Sequence, residues 1–270
     1  KKSINKNGLA RFWRLEKIKN KIKFHSGSLE KYSNIKNIVK KLKPDEVYHL
    51  SGQRRSSNFL EDEFSTLNIN VIGTFFFLSA IKEFSPKTKF YFAASSEMFG
   101  KAKVKPQSEN TPFNPRSIYA ISKTAGFGIV KNYREFQNIF CCSGILYNHE
   151  SPRRGSEFVT KKITQAVAKI KFGLKKNLKL GNIDTKKDWG HAKDYVKTMW
   201  LMLNQKKPND YVISTGKNYK VRDFAELAFK LVNLDYKKYI KIDRKLYRDS
   251  ELDNLIGNSF RAKRHLKWKP

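Results

Sequence analysis

The stretch Lys89-Phe90-Tyr91-Phe92-Ala93-Ala94-Ser95-Ser96-Glu97 decides the fold. Its apolar run, Phe90 to Ala94, reads as a strand that delivers polar groups at its carboxyl end. Similar runs predict strands over Lys21 to Phe24, Glu46 to Ser51, Phe140 to Leu146 and Tyr211 to Ser214. The amphipathic segments between them predict helices over Asn34 to Leu42, Ser65 to Glu83, Ile118 to Phe136, Phe158 to Lys171, Ala192 to Asn204 and Val221 to Leu231. Strands alternating with helices are the pattern of a parallel α/β sheet. The most irregular stretches, Gly100 to Ser117 and Asn148 to Gly155, read as loops leaving the carboxyl ends of strands, where ligands bind in open sheets of this kind.

Reactive side chains gather around the same stretch. Glu97 lies two residues after Ser95, a spacing that puts both on one side of a strand. Downstream, Tyr119 and Lys123 stand four apart on a predicted helix and project from one face. An ammonium there favours the phenolate and so lowers the phenol pKa, which is near ~10 when unperturbed and too high for a base at neutral pH. A hydroxyl, a carboxylate, a phenol and an ammonium are thus expected at one site.

Composition narrows the class. At 270 residues, with 39% hydrophobic and 13% aromatic side chains, the chain is long and apolar enough to bury a substantial core. No apolar stretch approaches the roughly 20 residues that span a bilayer and no signal peptide opens the chain, which predicts a soluble, cytoplasmic protein without a membrane partner. Cys141 and Cys142 are adjacent in an apolar run and point to opposite faces, so they read as buried free thiols. The net charge of +32 raises the question of nucleic acid. Its lysines, however, are scattered over helices and loops with no docking motif, so we expect a Lys-rich solvated surface and no specific nucleic-acid partner. The five histidines are dispersed without metal-ligand spacing, and no metal is expected.

Several longer strings are collinear with these residues. They are Asp45-Glu46-Val47-Tyr48-His49-Leu50, Thr111-Pro112-Phe113-Asn114-Pro115-Arg116-Ser117, Tyr119-Ala120-Ile121-Ser122-Lys123, Asn148-His149-Glu150-Ser151-Pro152-Arg153-Arg154-Gly155 and Asp188-Trp189-Gly190-His191-Ala192-Lys193-Asp194-Tyr195. Together they closely resemble the GDP-mannose 4,6-dehydratase family of the extended short-chain dehydrogenase/reductase superfamily, from about Phe12 to Pro270. The resemblance implies a Rossmann-like doubly wound parallel sheet with a smaller carboxyl-terminal substrate lobe. It divides the chain into an NADP-binding domain at 1–147, with 190–216 returning to it, and a nucleotide-sugar lobe at 148–189 and 217–270. A Gly-x-x-Gly-x-x-Gly turn that would cradle a pyrophosphate is not in these residues, so the chain reads as a family member without its first β-α unit. Lys1-Lys2-Ser3 are a candidate remnant of the turn that holds the 2'-phosphate of NADP.

The resemblance also implies roles. Tyr119 takes the proton of the sugar C4 hydroxyl as hydride leaves for NADP, Glu97 removes the C5 proton, water leaves from C6, and the hydride returns there. Ser95 stands where relatives carry Thr and bonds the reacting sugar, while Lys123 bonds the cofactor ribose and tunes Tyr119. Further cofactor contacts are implied for Ser28, Leu29, Leu50, Ser51, Gly52, Gln53, His149 and Arg154. Those to GDP-mannose are implied for Asn148, Lys162, Lys187, Arg248 and Glu251. Ser28 replaces a family Asp, Lys187 replaces an Arg, and Arg54-Arg55 replace a small polar pair. A homodimer or homotetramer is expected. Two alternatives stand beside this reading: another nucleotide-sugar dehydratase or epimerase, and an inactive anion-binding fragment.

Overall fold

The computed structural model describes residues 10–52, 60–247 and 255–270. Four parallel strands form the main sheet: β1 (Glu46–His49), β2 (Lys89–Ser95), β3 (Cys141–Leu146) and β7 (Tyr211–Ile213), in the order β1-β2-β3-β7. Alternate residues of β2 and β3 point to opposite faces, and both faces are covered. On one face Phe90, Phe92, Ala94, Cys141 and Ile145 form a core with Ile35, Leu78 and Val130. On the other, Tyr91, Cys142 and Leu146 pack with Tyr195, Met199, Leu266 and Trp268. The paired cysteines therefore part to opposite cores as free thiols, and burial pushes the Cys141 thiol up to about 12.

The first core is built by α1 (Tyr32–Leu42), by α3 (Gly73–Phe84), into which α2 (Leu60–Leu67) runs through a π turn (Asn68–Ile72), and by α4 (Ile118–Phe136). Helix α4 starts where Ser117 Oγ accepts the Ala120 N–H at 3.1 Å, a side-chain cap that satisfies one donor of the first turn. Against the expectation from the sequence, Glu63–Phe84 is long and apolar enough to cross a membrane. Leu78, Ala80 and Ile81 are fully buried in the first core, so this face is spent on the sheet.

A second expectation is also corrected. Lys21 to Phe24 is not a strand: Ala10–Lys21 winds as a 3-10 helix, and Ile22 and Phe24 are exposed. A strand needs a ladder partner for its backbone groups, and among the described residues nothing pairs with β1 on the side away from β2. Nor is Asn148 to Gly155 wholly irregular. Asn148–Glu150 is strand β4, which joins β6 (Lys186–His191) and β8 (Asn218–Lys220) in a second sheet.

The remaining elements are α5 (Val159–Lys171), β5 (Leu178–Leu180), α6 (Ala192–Leu203), α7 (Val221–Lys230), α8 (Tyr236–Tyr239), β9 (Ile240–Ile242) and α9 (Phe260–Leu266). Helix α6 packs on the second face of the main sheet. Helices α5 and α7, with the parallel pair β5 and β9, enclose a third core of Ile163, Val167, Leu178, Leu180, Ala225 and Phe229. Asp188, almost fully buried, ties this region to the main sheet. Its carboxylate accepts the backbone N–H groups of Thr215 and Gly216 at 2.9 Å each and the Thr215 hydroxyl at 2.6 Å.

Candidate active site

Several of the sequence-predicted groups lie at or just beyond the carboxyl ends of β1, β2 and β3: Leu50 to Gly52, Ser95 with Glu97, and Asn148 with His149. Strand β2 ends at Ser95, where Ser96–Phe99 turns into a short 3-10 helix. Ser95 Oγ accepts the Glu97 N–H at 3.2 Å and so caps that turn. The expected strand spacing is corrected here: Glu97 stands in the first turn of the helix rather than on the strand, and its half-buried carboxylate is placed by the cap.

Lys123 is buried at 2% exposure, and burial lowers its ammonium pKa to about 8. Its Nζ donates to the Ser51 carbonyl at 3.4 Å, lies 4.8 Å from the Phe92 ring centre and 6.0 Å from that of Tyr119. The last two contacts place the cation over aromatic faces, which partly offsets lost hydration. Gly52 matters for the same reason, since a Cβ there would stand 3.0 Å from Lys123 Nζ. Thus the turn after β1 and the helix carrying Tyr119 are drawn together, with Leu50, Ser51 and Gly52 exposed around them.

Asn70 was missed in the sequence. It sits fully buried in the π turn, and its Nδ2 donates to Ser122 Oγ at 2.9 Å, one residue from Lys123. Ser122 Oγ in turn donates to the Tyr119 carbonyl at 2.8 Å. The available signal was one amide between apolar neighbours, in Ile69-Asn70-Val71-Ile72.

Strand β4 sorts its residues by face. Asn148 is in register with Trp189 and His149 with Gly190, so Asn148 shares a face with Lys187 while His149 takes the other. His149 Nδ1 is 2.9 Å from the Tyr147 carbonyl and its ring stacks on Tyr195 at 4.9 Å. Burial, with Arg154 nearby, lowers its pKa and keeps the imidazole neutral. Arg154 is itself held, 3.1 Å from Glu150 and with its guanidinium 3.5 Å over Phe158. Glu150 also accepts the Thr160 hydroxyl at 2.6 Å.

Other predicted positions are less closely drawn in. Ser28 and Leu29 form the turn before α1, where the Ser28 N–H donates to Asn34 Oδ1 at 2.9 Å and Leu29 packs on the first core. Lys162 lies on α5 and Lys187 on β6, both half-buried. Gln53, Arg54, Arg55, Arg248, Glu251 and Lys1-Lys2-Ser3 lie outside the described residues. Among the described residues no three His, Cys, Asp or Glu side chains cluster as a metal site.

A doubly covered parallel sheet with a buried Lys four residues after a Tyr defines a Rossmann-fold enzyme of the short-chain dehydrogenase/reductase type. In agreement, the solved structure of RMD from Pseudomonas aeruginosa complexed with NADPH superposes with a TM-score of 0.83 at 25% identity, over 91% of this chain and 82% of that one. The family model for GDP-mannose 4,6 dehydratase matches residues 2–270. GDP-mannose 4,6 dehydratase of Dictyostelium discoideum is 44% identical over 94% of this chain and 76% of its own length. GDP-mannose 4,6 dehydratase 1 of Arabidopsis thaliana is 45% identical over 92% of this chain and 70% of its own. The chain belongs to the GDP-mannose 4,6-dehydratase family, whose members are enzymes of the hydro-lyase class.

Proposed function

We propose that this protein dehydrates GDP-mannose to GDP-4-keto-6-deoxymannose with NADP as its cofactor, on the way to GDP-fucose or related deoxysugars. The observations that support this best are the buried Lys123 over the Tyr119 ring and the Ser95–Glu97 cap at the carboxyl end of β2, in a chain of this family.

NADP, when bound, supplies a hydride acceptor that is regenerated within each turnover. The Lys123 ammonium and the exposed Ser51-Gly52 turn beside it fit such a group, because they offer it a cation and backbone polar groups. In this reading Ser28, Leu29, Leu50, Ser51, Gly52, Gln53, His149 and Arg154 line the cofactor. A neutral His149, fixed by Tyr147 and Tyr195, offers a hydrogen-bonding edge without adding charge.

Tyr119 is the base that accepts the C4 hydroxyl proton, and the cation near its ring favours the phenolate. Glu97 is the second base, removing the C5 proton once the neighbouring carbon is a ketone, and Ser95 bonds the sugar. Two bases are needed because the protons leave from different carbons at different stages. Asn148, Lys162, Lys187, Arg248 and Glu251 hold GDP, the cations meeting its diphosphate. Residues 1–147 with 190–216 serve the cofactor, and 148–189 with 217–270 serve the nucleotide sugar. The exposed Phe64, Phe75 and Ile121 on α2, α3 and α4 support self-association into a dimer or tetramer.

The test is product analysis. Full-length protein given NADP and GDP-mannose yields a sugar nucleotide lighter by one water, with no net cofactor reduction. Stoichiometric accumulation of NADPH would instead mark an ordinary dehydrogenase.

A further inference from the structure

The loop Gly100 to Ser117 runs from the turn that carries Glu97 to the helix that carries Tyr119, and its base is closed. The Asn114 N–H donates to the Met98 carbonyl at 3.0 Å, Gly100 packs against the Asn114 carbonyl, and Ser117 caps α4. At the far end of the loop the polar side chain of Gln107 is completely buried. A buried amide is costly unless both its ends are bonded. Gln107 Oε1 accepts the Tyr147 hydroxyl at 2.9 Å and the Ile256 N–H at 3.0 Å, while Nε2 donates to the Val104 carbonyl at 2.9 Å. Turning the amide over would set its NH2 against the Ile256 N–H and its oxygen against the Val104 carbonyl, so these partners fix its orientation. The backbone is clasped as well. The Gln107 N–H donates to the Ile256 carbonyl at 2.8 Å and its carbonyl accepts the Asn258 N–H at 2.7 Å, in a parallel bridge to Gly257. A Cβ on Gly257 would meet the Ser214 side chain and stand 2.7 Å from the Tyr147 ring, so the clasp closes directly on Tyr147.

Tyr147 is the link to the site. Its N–H donates to the Ile213 carbonyl of β7 at 3.0 Å, and its own carbonyl lies 2.9 Å from His149 Nδ1. One buried amide thus joins the loop between the two bases to the strand corner that holds the His149 ring. We propose that Gln107 is a positioning residue for the dehydration, holding the loop between Glu97 and Tyr119 in fixed register with the corner formed by Tyr147 and His149. The inference rests on the roles proposed above for Glu97, Tyr119 and His149. It adds that the register between sugar and cofactor is set from outside the site, by a group too deeply buried to meet either. Small misplacements of reacting groups slow a reaction steeply, whereas binding of the nucleotide sugar is shared among other residues. Loss of the clasp therefore falls on turnover more than on binding.

Steady-state kinetics and NMR on the full-length protein test the clasp. Gln107→Leu removes all three side-chain bonds, and Tyr147→Phe removes only the hydroxyl that Gln107 holds. Ile81→Val, in the first core on α3, is the control for a packing loss elsewhere. We expect kcat for GDP-mannose to fall roughly 10–100-fold in Gln107→Leu and roughly 3–10-fold in Tyr147→Phe, with KM within about threefold of the parent. The double variant should be no slower than Gln107→Leu, because both changes break one connection. In the unliganded protein the imidazole signals of His149, assigned by their loss in His149→Gln, should move in both variants and stay in place in Ile81→Val. Should Gln107→Leu not fold, Tyr147→Phe decides alone. Parent-like kcat in Tyr147→Phe, a loss confined to KM, an equal loss in Ile81→Val, or an unmoved His149 signal overturns the inference while an active parent keeps the functional reading. A parent that does not dehydrate GDP-mannose overturns that reading and the inference with it.

Discussion

The side-chain amide of Asn70 is hydrogen-bonded to Ser122 Oγ at 2.9 Å, which fastens the π turn of one core helix to the helix that presents Tyr119 and Lys123. A π turn shifts the register of a helix by one residue, and such turns recur at functional sites. Here it aims a buried amide at α4.

Asn70→Leu removes that bond and leaves Ser122 with a lone acceptor site in a dry interior. Urea unfolding should show a loss of about 1–3 kcal/mol. The turnover number should also fall by about tenfold, because small misplacements of reacting groups are costly. Unchanged turnover in the folded variant would reduce Asn70 to a packing residue.

Asp210 holds the end of the sheet. It accepts two bonds from Arg134, at 2.9 and 2.5 Å, and the Ser143 N–H at 2.7 Å, with both charged side chains mostly buried. Asp210→Ala leaves a buried guanidinium uncompensated and should cost about 3–5 kcal/mol. Arg134→Met/Asp210→Leu should recover part of that loss in the same denaturation assay, since no charge then remains buried.

Burial of Lys123 makes a pH-dependent contribution to stability. Its folded pKa is about 8, below the ~10.4 of an unfolded lysine, so between these values the unfolded chain binds more protons and stability rises with pH. Below pH ~8 both states are protonated and the desolvation penalty is present in full. Relative to Lys123→Met, the unliganded parent should therefore gain about 2 kcal/mol between pH 7 and 9.5. A parent and variant that keep a constant difference over this range would show that Lys123 is not depressed.

Gly100 closes the turn after Phe99 with φ of +51°, and a Cβ would collide with the Asn114 carbonyl. Gly100→Ala should destabilise by at least about 1 kcal/mol from backbone strain alone. A melting temperature equal to the parent's would show that the 100–117 loop relaxes freely.

Strand β2 and helix α4 were legible to the residue in the sequence, as Lys89–Ser95 and Ile118–Phe136, because each is bounded by its own polar cap and filled by an apolar run. The meeting of Tyr119 and Lys123 followed from helical spacing. Strands β4, β5, β8 and β9 were not legible, since three residues carry no periodicity and their pairing is decided by distant partners. Lys21 to Phe24 had a strand's composition without a partner. Glu97 was found for its chemistry while its placement came from a cap between two adjacent turns of chain.

The division of labour between Glu97 and Tyr119 is the central claim, and single-turnover absorbance of reduced nicotinamide tests it most directly. Full-length Glu97→Gln, mixed with NADP and GDP-mannose, should form enzyme-bound reduced cofactor and stall before water is lost. Tyr119→Phe should form none, since nothing accepts the C4 hydroxyl proton. Losing either base should slow overall turnover by roughly 10²–10⁴-fold. Turnover of Glu97→Gln at the parent rate would contradict the account.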